Sequence, residues 1–573
     1  MAALVAGVAM VACASAQAAP AKKGVAHAPA AAPAPDAAPK GPPKLIVAIA
    51  VDQYSADLFA EYREHYTGGL ARLLKGAVFP SGFQSHAATE TCPGHSTILT
   101  GVHPARTGII ANTWYDLNQT RPDKRVYCAE NEADPASSPF KPVVSTGHLK
   151  VPTLGEWVKK QWPDSRNVAV SVKDRAVAMM GGHDVDAAYW LVGDGFTSYR
   201  GRDLSPVVVS ANERLKALLA KGAPAFAVPA WCVARDRAVQ AGALTVGTGR
   251  FPIEPGTTSP DLLRTNPRAD AATLEVAAGL LSEMKLGKGA APDVLSVSLS
   301  ANDYIGHGFG TEGLEMCIQQ QQLDAKLGEF FAKLDASGVD YAVVLTADHG
   351  GIDMPERLRE QGVPEAARAE VSLNGATLGR AIAEELGIAQ LLPACTPGDD
   401  VVGNVVCSDG LGGDYWISPA LTAAMRAKVS ARLVDKLKAH PQVEAVFTRE
   451  QIEATAYPIG HPQDWSQLQK IRASYDPVRS GDVYAVLKRA VVAVPTPKAG
   501  SRTVTTHGSI WDYDRRVPIL FWRRGVAGLE QPQPVETVDI APTLAALIGL
   551  QVPQGSFDGR CLDIDGGVGN SCQ

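Results

Sequence analysis

The residues of this sequence best suited to chemistry are acids and histidines gathered in a few short stretches. Asp303 and His307 lie four apart in NDYIGH, Asp348 and His349 are neighbours in TADHGG, and His507 stands in TTHGS. Carboxylates mixed with imidazoles, without thiolates, suit zinc or a similar divalent ion. The spacing of Asp303 and His307 puts both on one helical face or in one compact loop. Gly306, Gly308 and Gly310 favour the loop. Asp348 and His349, being adjacent, point in different directions and can reach opposite sides of a metal cluster. The chain has 12 histidines, most of which would be surface or hydrogen-bonding residues, so the joint pattern carries the reading rather than any one pair.

A second stretch, SHAATETCPGHSTILTG from Ser85 to Gly101, reads as a turn running into a helix. Thr91 falls near the helix start, where backbone donors and the helix dipole favour an anion. A threonine hydroxyl attacks poorly unless a base or a metal generates its alkoxide. Taken alone, Thr91 would only cap the helix. His95 reads as structural, because a metal would already activate the hydroxyl. Cys92 lacks the Cys-x-Pro-x-Arg context of a formylglycine sulfatase. His103 and His183 have no partner pattern.

The elements that must position these residues are short apolar runs ending in polar ones. Leu45–Val51 leads to Asp52, Asn167–Val172 to Lys173-Asp174-Arg175, Val294–Ser300 to Asn302-Asp303, and Tyr341–Thr346 to Asp348. Continuous apolar runs indicate strands covered on both faces. Helical patterns between them, such as Leu314, Cys317 and Ile318 with Leu327, Phe330, Phe331 and Leu334, complete an alternation of strand and helix. The fold class is therefore α/β, a mostly parallel central sheet sandwiched by helices, with ligands expected beyond the carboxyl ends of the strands. The segments around 195–290 and 355–500 read as insertions into one catalytic domain spanning 44–573. Val517–Trp522, with its Pro518, reads as an edge strand, and Asp539 as the cap of the helix that follows Thr537.

The whole chain bounds the remainder. With 573 residues, 46% hydrophobic and a net charge of −6, it has the size for a large core and no basic excess pointing to nucleic acid or an anionic membrane. Residues 1–16 are small and apolar, ending in Ala14-Ser15-Ala16, and read as a signal peptide; Cys13 is the competing lipid-attachment site. Residues 17–43 are Ala/Pro-rich and read as a disordered tether. No later stretch has the length of a membrane span. Without Cys13, eight cysteines remain, an even number suited to an oxidising space, and Cys395/Cys407 and Cys561/Cys572 are spaced to close small loops.

Together, VDQ at Asp52, ETCPGH at Thr91, NDYIGH, TADHGG and TTHGS resemble the alkaline phosphatase superfamily. The likeness lies near its nucleotide pyrophosphatase/phosphodiesterase branch and nearest its atypical threonine-nucleophile alkaline phosphatases, and runs from about Leu45 onward. The resemblance implies two Zn2+ per chain. One would be held by Asp303, His307 and His507, the other by Asp52, Asp348 and His349 with Thr91 in contact, and the pair would clamp the attacking and leaving oxygens. It also implies a phospho-threonine intermediate at Thr91, and phosphoryl recognition by Lys173, Arg175 and Asn112. Lys and a bidentate Arg suit the charged terminal oxygens of a monoester. The implied activity is broad phosphomonoester hydrolysis that scavenges phosphate, periplasmic or secreted, with small phosphate esters as substrates and inorganic phosphate as product. The alternative is a phosphodiesterase or nucleotide pyrophosphatase using the same two-zinc site.

Overall fold

The strand Leu45–Val51 (β1) is buried at every position because its two faces feed different cores. Leu45, Val47, Ile49 and Val51 pack into one cluster, and Ile46, Ala48 and Ala50 into another. That alternation is the period of two of a strand covered on both sides. The computed structural model describes residues 41–193, 195–257, 260–397 and 404–572; the signal peptide expected at 1–16 and all but the last three residues of the tether expected at 17–43 lie outside them.

In chain order, β1 is joined by β2 (Ala77–Phe83), β3 (Asn167–Ser171), β4 (Ala187–Val192), β5 (Gly195–Thr197), β6 (Asp293–Leu299) and β7 (Tyr341–Thr346). Later strands are β8 (Val406–Cys407), β9 (Gly413–Ile417), β10 (Val443–Thr448), β11 (Val483–Leu487), β12 (Arg516–Arg523), β13 (Leu529–Glu530) and β14 (Val535–Glu536). The large sheet runs β13-β2-β12-β7-β1-β6-β3-β4-β5, with β14 also on β2. Its centre, β7-β1-β6-β3-β4, is parallel throughout. One face is covered by the helices Arg268–Glu283 and Leu314–Ala336, and the other by Thr91–Thr100 and Ile540–Ile548. This is the α/β sandwich expected from the sequence.

Register sets the site. Val51 pairs with Leu299, Ala50 with Thr346, and Ser298 with Ser171. Asp52, Asp348, Lys173 and the segment entering Asp303 therefore leave neighbouring strands at one level and from one edge.

Two expectations are corrected. β12 is not an edge strand: it pairs antiparallel with both β7 and β2. Pro518 is accommodated because the register with β2 shifts between Val517 and Ile519, and the pairing with β7 covers only Leu520–Arg523, so no ladder bond needs a donor at residue 518. The stretch carrying Asp303 and His307 is a helix, Ala301–Phe309, and not a loop. Gly306 is needed there for close approach, since a Cβ would overlap the Gln53 side chain. Asp539 accepts backbone N–H bonds from Glu536 and Arg560, closing the single 3-10 turn ahead of Ile540–Ile548.

Between residues 355 and 500 the chain builds a second, antiparallel sheet of order β8-β9-β11-β10 with its own core, including Leu373, Ile382, Tyr415 and Leu433. Within 195–290, by contrast, Val208, Leu215, Leu274 and Leu281 join the cluster under β1. Disulfides link Cys92–Cys128, Cys232–Cys317, Cys395–Cys407 and Cys561–Cys572. The last two close the small loops anticipated from spacing. Among the described residues, no helix is long and apolar enough to cross a membrane.

Candidate active site

Thr91 is the first residue of the fully buried helix Thr91–Thr100. That helix lies hard against the end of β7, because a Cβ on Gly94 would overlap the carbonyl of Asp348. One turn on, His95 Nδ1 is 2.9 Å from Thr91 O and 3.0 Å from Asp348 Oδ2, and Nε2 is 2.9 Å from Ser298 Oγ. With Nδ1–H donating to Thr91 O and Nε2 meeting the Ser298 hydroxyl, both ring nitrogens of His95 are engaged within the protein. It sits between the helix that Thr91 opens and Asp348. Cys92, in its disulfide, has no thiol to offer.

The three other histidines are held in the opposite way. His307 Nδ1 meets Thr505 O at 2.9 Å, His349 Nδ1 meets Gly350 O at 2.9 Å, and His507 Nδ1 meets Thr89 O at 2.8 Å. A carbonyl can only accept, so each Nδ1 carries a hydrogen, and in the neutral rings of His349 and His507 Nε2 keeps its lone pair; burial pulls His307 down too, but Asp303 prevails and raises its pKa. Such second contacts orient metal-ligating imidazoles. The Nε2 atoms converge on carboxylates. His307 is 3.2 Å and His507 3.5 Å from Asp303 Oδ1, and His349 is 3.3 Å from Asp348 Oδ2 and 3.5 Å from Asp52 Oδ1. The His349 and His507 rings stack at 3.6 Å.

Donor atoms of Asp303, His349 and His507 lie within 4.8 Å of one another, as do those of Asp52, His95 and Asp348. All six expected ligands are thus brought together, but the tight groups differ from the implied partition. His349 stands with Asp303 and His507 while still touching Asp52 and Asp348, and His95 occupies the place in the second group that His349 was expected to take.

The donor set fits divalent ions on direct grounds. Asp52 Oδ1, Asp303 Oδ1, Asp348 Oδ2 and His349 Nε2 are buried without a hydrogen-bond partner. Leaving so many acceptors dry and unpaired in one place is costly, and a bound cation satisfies all of them. Burial lowers His349, and lowers His507 strongly with His349 adding to the effect, so both rings are neutral, the form in which an imidazole can bind a metal. Asp52 is pushed well up by burial and by Asp348. Burial acts the same way on Asp303, but His307 and Lys173 outweigh it and hold that carboxyl low.

Lys173 is the cationic hub. Its Nζ is 2.6 Å from both Asp52 Oδ2 and Asp303 Oδ2 and 3.2 Å from Thr91 Oγ1. Burial opposes its charge, but Asp303 and Asp52 prevail and raise its pKa. Arg175 brings a guanidinium nitrogen within 3.4 Å of Thr91 Oγ1 and has a buried, unpartnered Nε. Asp174, between them, points elsewhere, accepting from the Tyr127 hydroxyl at 2.6 Å. Asn112 Oδ1 accepts from Cys92 N at 2.8 Å, which fixes the amide so that Nδ2 remains as a free-facing donor.

Some residues here were not anticipated. Glu90, inside the ETCPGH stretch, accepts from Asn112 N at 2.7 Å, and burial pushes its carboxyl to about 7. Tyr304, inside NDYIGH, presents its ring 5.1 Å from Lys173 Nζ. Gln53, next to Asp52, takes a left-handed backbone (φ 62°) and donates its N–H to Asp348 Oδ1. All three lie within the motifs given above, but the positive φ at Gln53 has no sequence signal. His103 and His183 fall outside the constellation, paired with Glu536 and Asp558 and with Glu156 respectively.

Residues 46–510 match the family of type I phosphodiesterases and nucleotide pyrophosphatases. The chain is 53% identical over 533 residues to alkaline phosphatase PhoK of a Sphingomonas species, covering 93% of each. It is 42% identical over 539 residues to alkaline phosphatase PhoD of Zymomonas mobilis, covering 92% of this chain and 89% of the relative. A crystal structure of alkaline phosphatase PafA superposes with a TM-score of 0.77 at 25% identity, over 93% of this chain and 100% of that one.

Proposed function

The chain belongs to the type I phosphodiesterase / nucleotide pyrophosphatase family, and on that premise we propose that it is an alkaline phosphatase that hydrolyses phosphate monoesters through Thr91. The observation that carries the reading is the convergence of unpartnered Asp52, Asp303, Asp348 and His349 atoms beside a threonine hydroxyl that is also met by Lys173 and Arg175. Two zinc ions held by Asp52, Asp303, His307, Asp348, His349 and His507 would supply the positive charge that lowers the hydroxyl's pKa and neutralises the departing alkoxide.

The protein's own groups do the rest. Thr91 Oγ attacks phosphorus in line, the ester oxygen leaves, and a phospho-threonine forms. Water then attacks the same phosphorus, releasing inorganic phosphate and restoring the hydroxyl. Lys173, Arg175 and the Asn112 amide are placed to hold the non-bridging oxygens, whose charge a monoester keeps and a diester partly loses. The buried setting of Lys173 strengthens each of these contacts. The four disulfides support an oxidising compartment, periplasmic or extracellular, and a phosphate-scavenging role accords with it.

Three measurements test this reading. Purified enzyme should contain two zinc per chain and become labelled at Thr91 when quenched during turnover of a monoester. The Lys173→Ala/Arg175→Ala variant should lose about 10²–10³-fold on an aryl monoester, the scale for removing preorganised charge, and far less on the matched diester. Equal losses on both substrates would instead support the phosphodiesterase reading. An active enzyme never labelled at Thr91 would sink the mechanism.

A further inference from the structure

Two separate cavities reach this constellation, and their linings carry opposite charge. One, of about 680 Å3, is lined by Lys173 and Arg175 together with Lys141, Arg200 and Arg264. The other, of about 330 Å3, includes Asn112, His307 and His507 and presents the carboxylates of Glu90, Asp409, Asp414 and Asp514. Among the described residues lining this second cavity, none is Lys or Arg. Aromatic rings complete its wall, among them Trp416 and Tyr484.

Asp514 shows that the acidity is not just a solvated rim. It is 1% exposed; Oδ2 accepts from Ser509 N at 2.8 Å, and Oδ1 is buried without a partner. A dry, unpaired carboxylate oxygen on a cavity wall is costly unless something positive or proton-donating meets it. Three cations around this cavity are engaged elsewhere. Arg125 is held by Asp123 at 2.7 and 2.9 Å, Arg449 donates to the carbonyls of Pro477, Ser480 and Gly481, and Arg489 lies over the Trp511 ring at 4.8 Å. Burial pushes Asp414 to about 6 and Asp514 to about 7, so both gain from a positive neighbour that keeps them ionised.

We propose that this acidic, aromatic cavity receives the alcohol portion of the ester and favours alcohols that carry an ammonium or quaternary ammonium group. The inference rests on the reading above: Lys173 and Arg175, which take the phosphoryl oxygens there, line the other cavity, so the cavity lined by His307 and His507 is the one left for the departing alcohol. The phosphoryl group meets Lys173 and Arg175, while the alcohol extends past His307 and His507 among carboxylates and ring faces, where an organic cation is stabilised. An alcohol bearing a carboxylate or a second phosphate meets like charge there and is disfavoured.

The test uses phosphocholine and its uncharged isostere 3,3-dimethylbutyl phosphate. The ammonium also makes the leaving alkoxide less basic, so the wild-type ratio of kcat/KM alone does not decide. The decisive quantity is how that ratio changes in Asp409→Asn/Asp414→Asn, where a fall of about tenfold is expected, the size for two partly screened charges. On the unaltered enzyme, choline should inhibit more strongly than 3,3-dimethylbutanol, which keeps the proposal open to refutation if the double variant does not fold. An active enzyme whose ratio changes less than twofold, or one inhibited equally by the two alcohols, overturns this inference and leaves the phosphatase reading standing. A wild-type enzyme inert toward both esters and toward aryl phosphates overturns that reading, and this inference with it.

Discussion

Two buried clusters of histidine and carboxylate lie in this chain, alike in composition and opposite in state. Around His103, every ring nitrogen is engaged: Nδ1 is 3.1 Å from Asp558 Oδ2, and Nε2 is 3.0 Å from both Glu536 Oε1 and Ser85 Oγ. Burial pulls this imidazole down, but the bonds to Asp558 and Glu536 win and hold it at about 9. It is therefore an imidazolium, a cation supplied by the protein itself. The Ser85–His103–Asp558 sequence of contacts has the form of a nucleophilic triad, yet a ring already protonated cannot act as its base. Beside Thr91, burial keeps His349 and His507 neutral, and the carboxylate oxygens facing them go unpaired. The difference teaches how to tell a charge cluster from a metal centre: one closes on itself, the other lacks positive charge in proportion to its acids.

The largest expected break in that comparison is Asp303→Asn. Asp303 Oδ1 faces His307 and His507 while Oδ2 holds Lys173, so the substitution weakens the proposed metal position and unseats the Lys together. Phosphatase activity should fall by about 10³-fold or more, given that one preorganised electrostatic contact is worth about 3–4 kcal/mol, and zinc content should drop. His103→Gln should leave zinc content unchanged. If Asp303→Asn kept both activity and zinc, the two clusters would be of one kind.

Removing zinc by chelation comes next. If zinc is bound as proposed, its removal leaves only Lys173 and the neighbouring histidines to balance Asp52, Asp303 and Asp348, so thermal stability should drop as well as activity. Free zinc at 1,000 times its Kd stabilises by about 4 kcal/mol, which a chelator titration followed by melting temperature would detect. A chelator that abolished activity without lowering the melting point would mean the carboxylates are content without metal.

His95→Gln sharpens the boundary between the two kinds of histidine. His95 touches Asp348 yet has no free nitrogen, and substitutions at such supporting positions cost about 10–100-fold in metal affinity or activity. Zinc titration of the variant should show a weakened site that saturates at the same stoichiometry. A lost equivalent of zinc would make His95 a ligand.

Much of this was legible in the sequence, and the failures have physical causes. β1, β3, β6 and β7 announce themselves as continuous apolar runs because both faces are buried, and the acids that follow each run fall at one edge because parallel register puts them there. Pro518 misled, since a register shift within β12 removed the need for its missing N–H. Gly306 misled too: it reads as a helix breaker, but its lack of a Cβ serves contact with Gln53. The grouping of His349 with Asp303 and His507 depends on side-chain directions across three elements, which spacing does not encode. His103 had no pattern at all, because Glu536 and Asp558 reach it only after the chain has wound more than 430 residues further.

The smallest expected effect is the pH dependence of stability contributed by His103, and its sign separates the clusters once more. The ring's folded pKa of about 9 lies above an ordinary value of 6.5, so its stabilisation is complete below pH 6.5 and is lost as pH rises through 9. The shift corresponds to about 3 kcal/mol, of which about 2–3 kcal/mol disappears between pH 7 and 10. Asp558, held at about 2 by its bonds to His103 against the pull of burial, describes the same ion pairs from the acid side: their contribution is present above the ordinary carboxylate range and lost as pH falls toward 2. Urea unfolding of zinc-loaded enzyme at pH 7 and 10 should therefore show wild type converging on His103→Gln at the higher pH. Keeping zinc saturated holds the metal centre's contribution equal in both proteins, so the difference between the curves reports His103 alone. A gap that stayed constant from pH 7 to 10 would mean that the ring is neutral, and that the self-contained cluster is held by hydrogen bonds without a cation of its own.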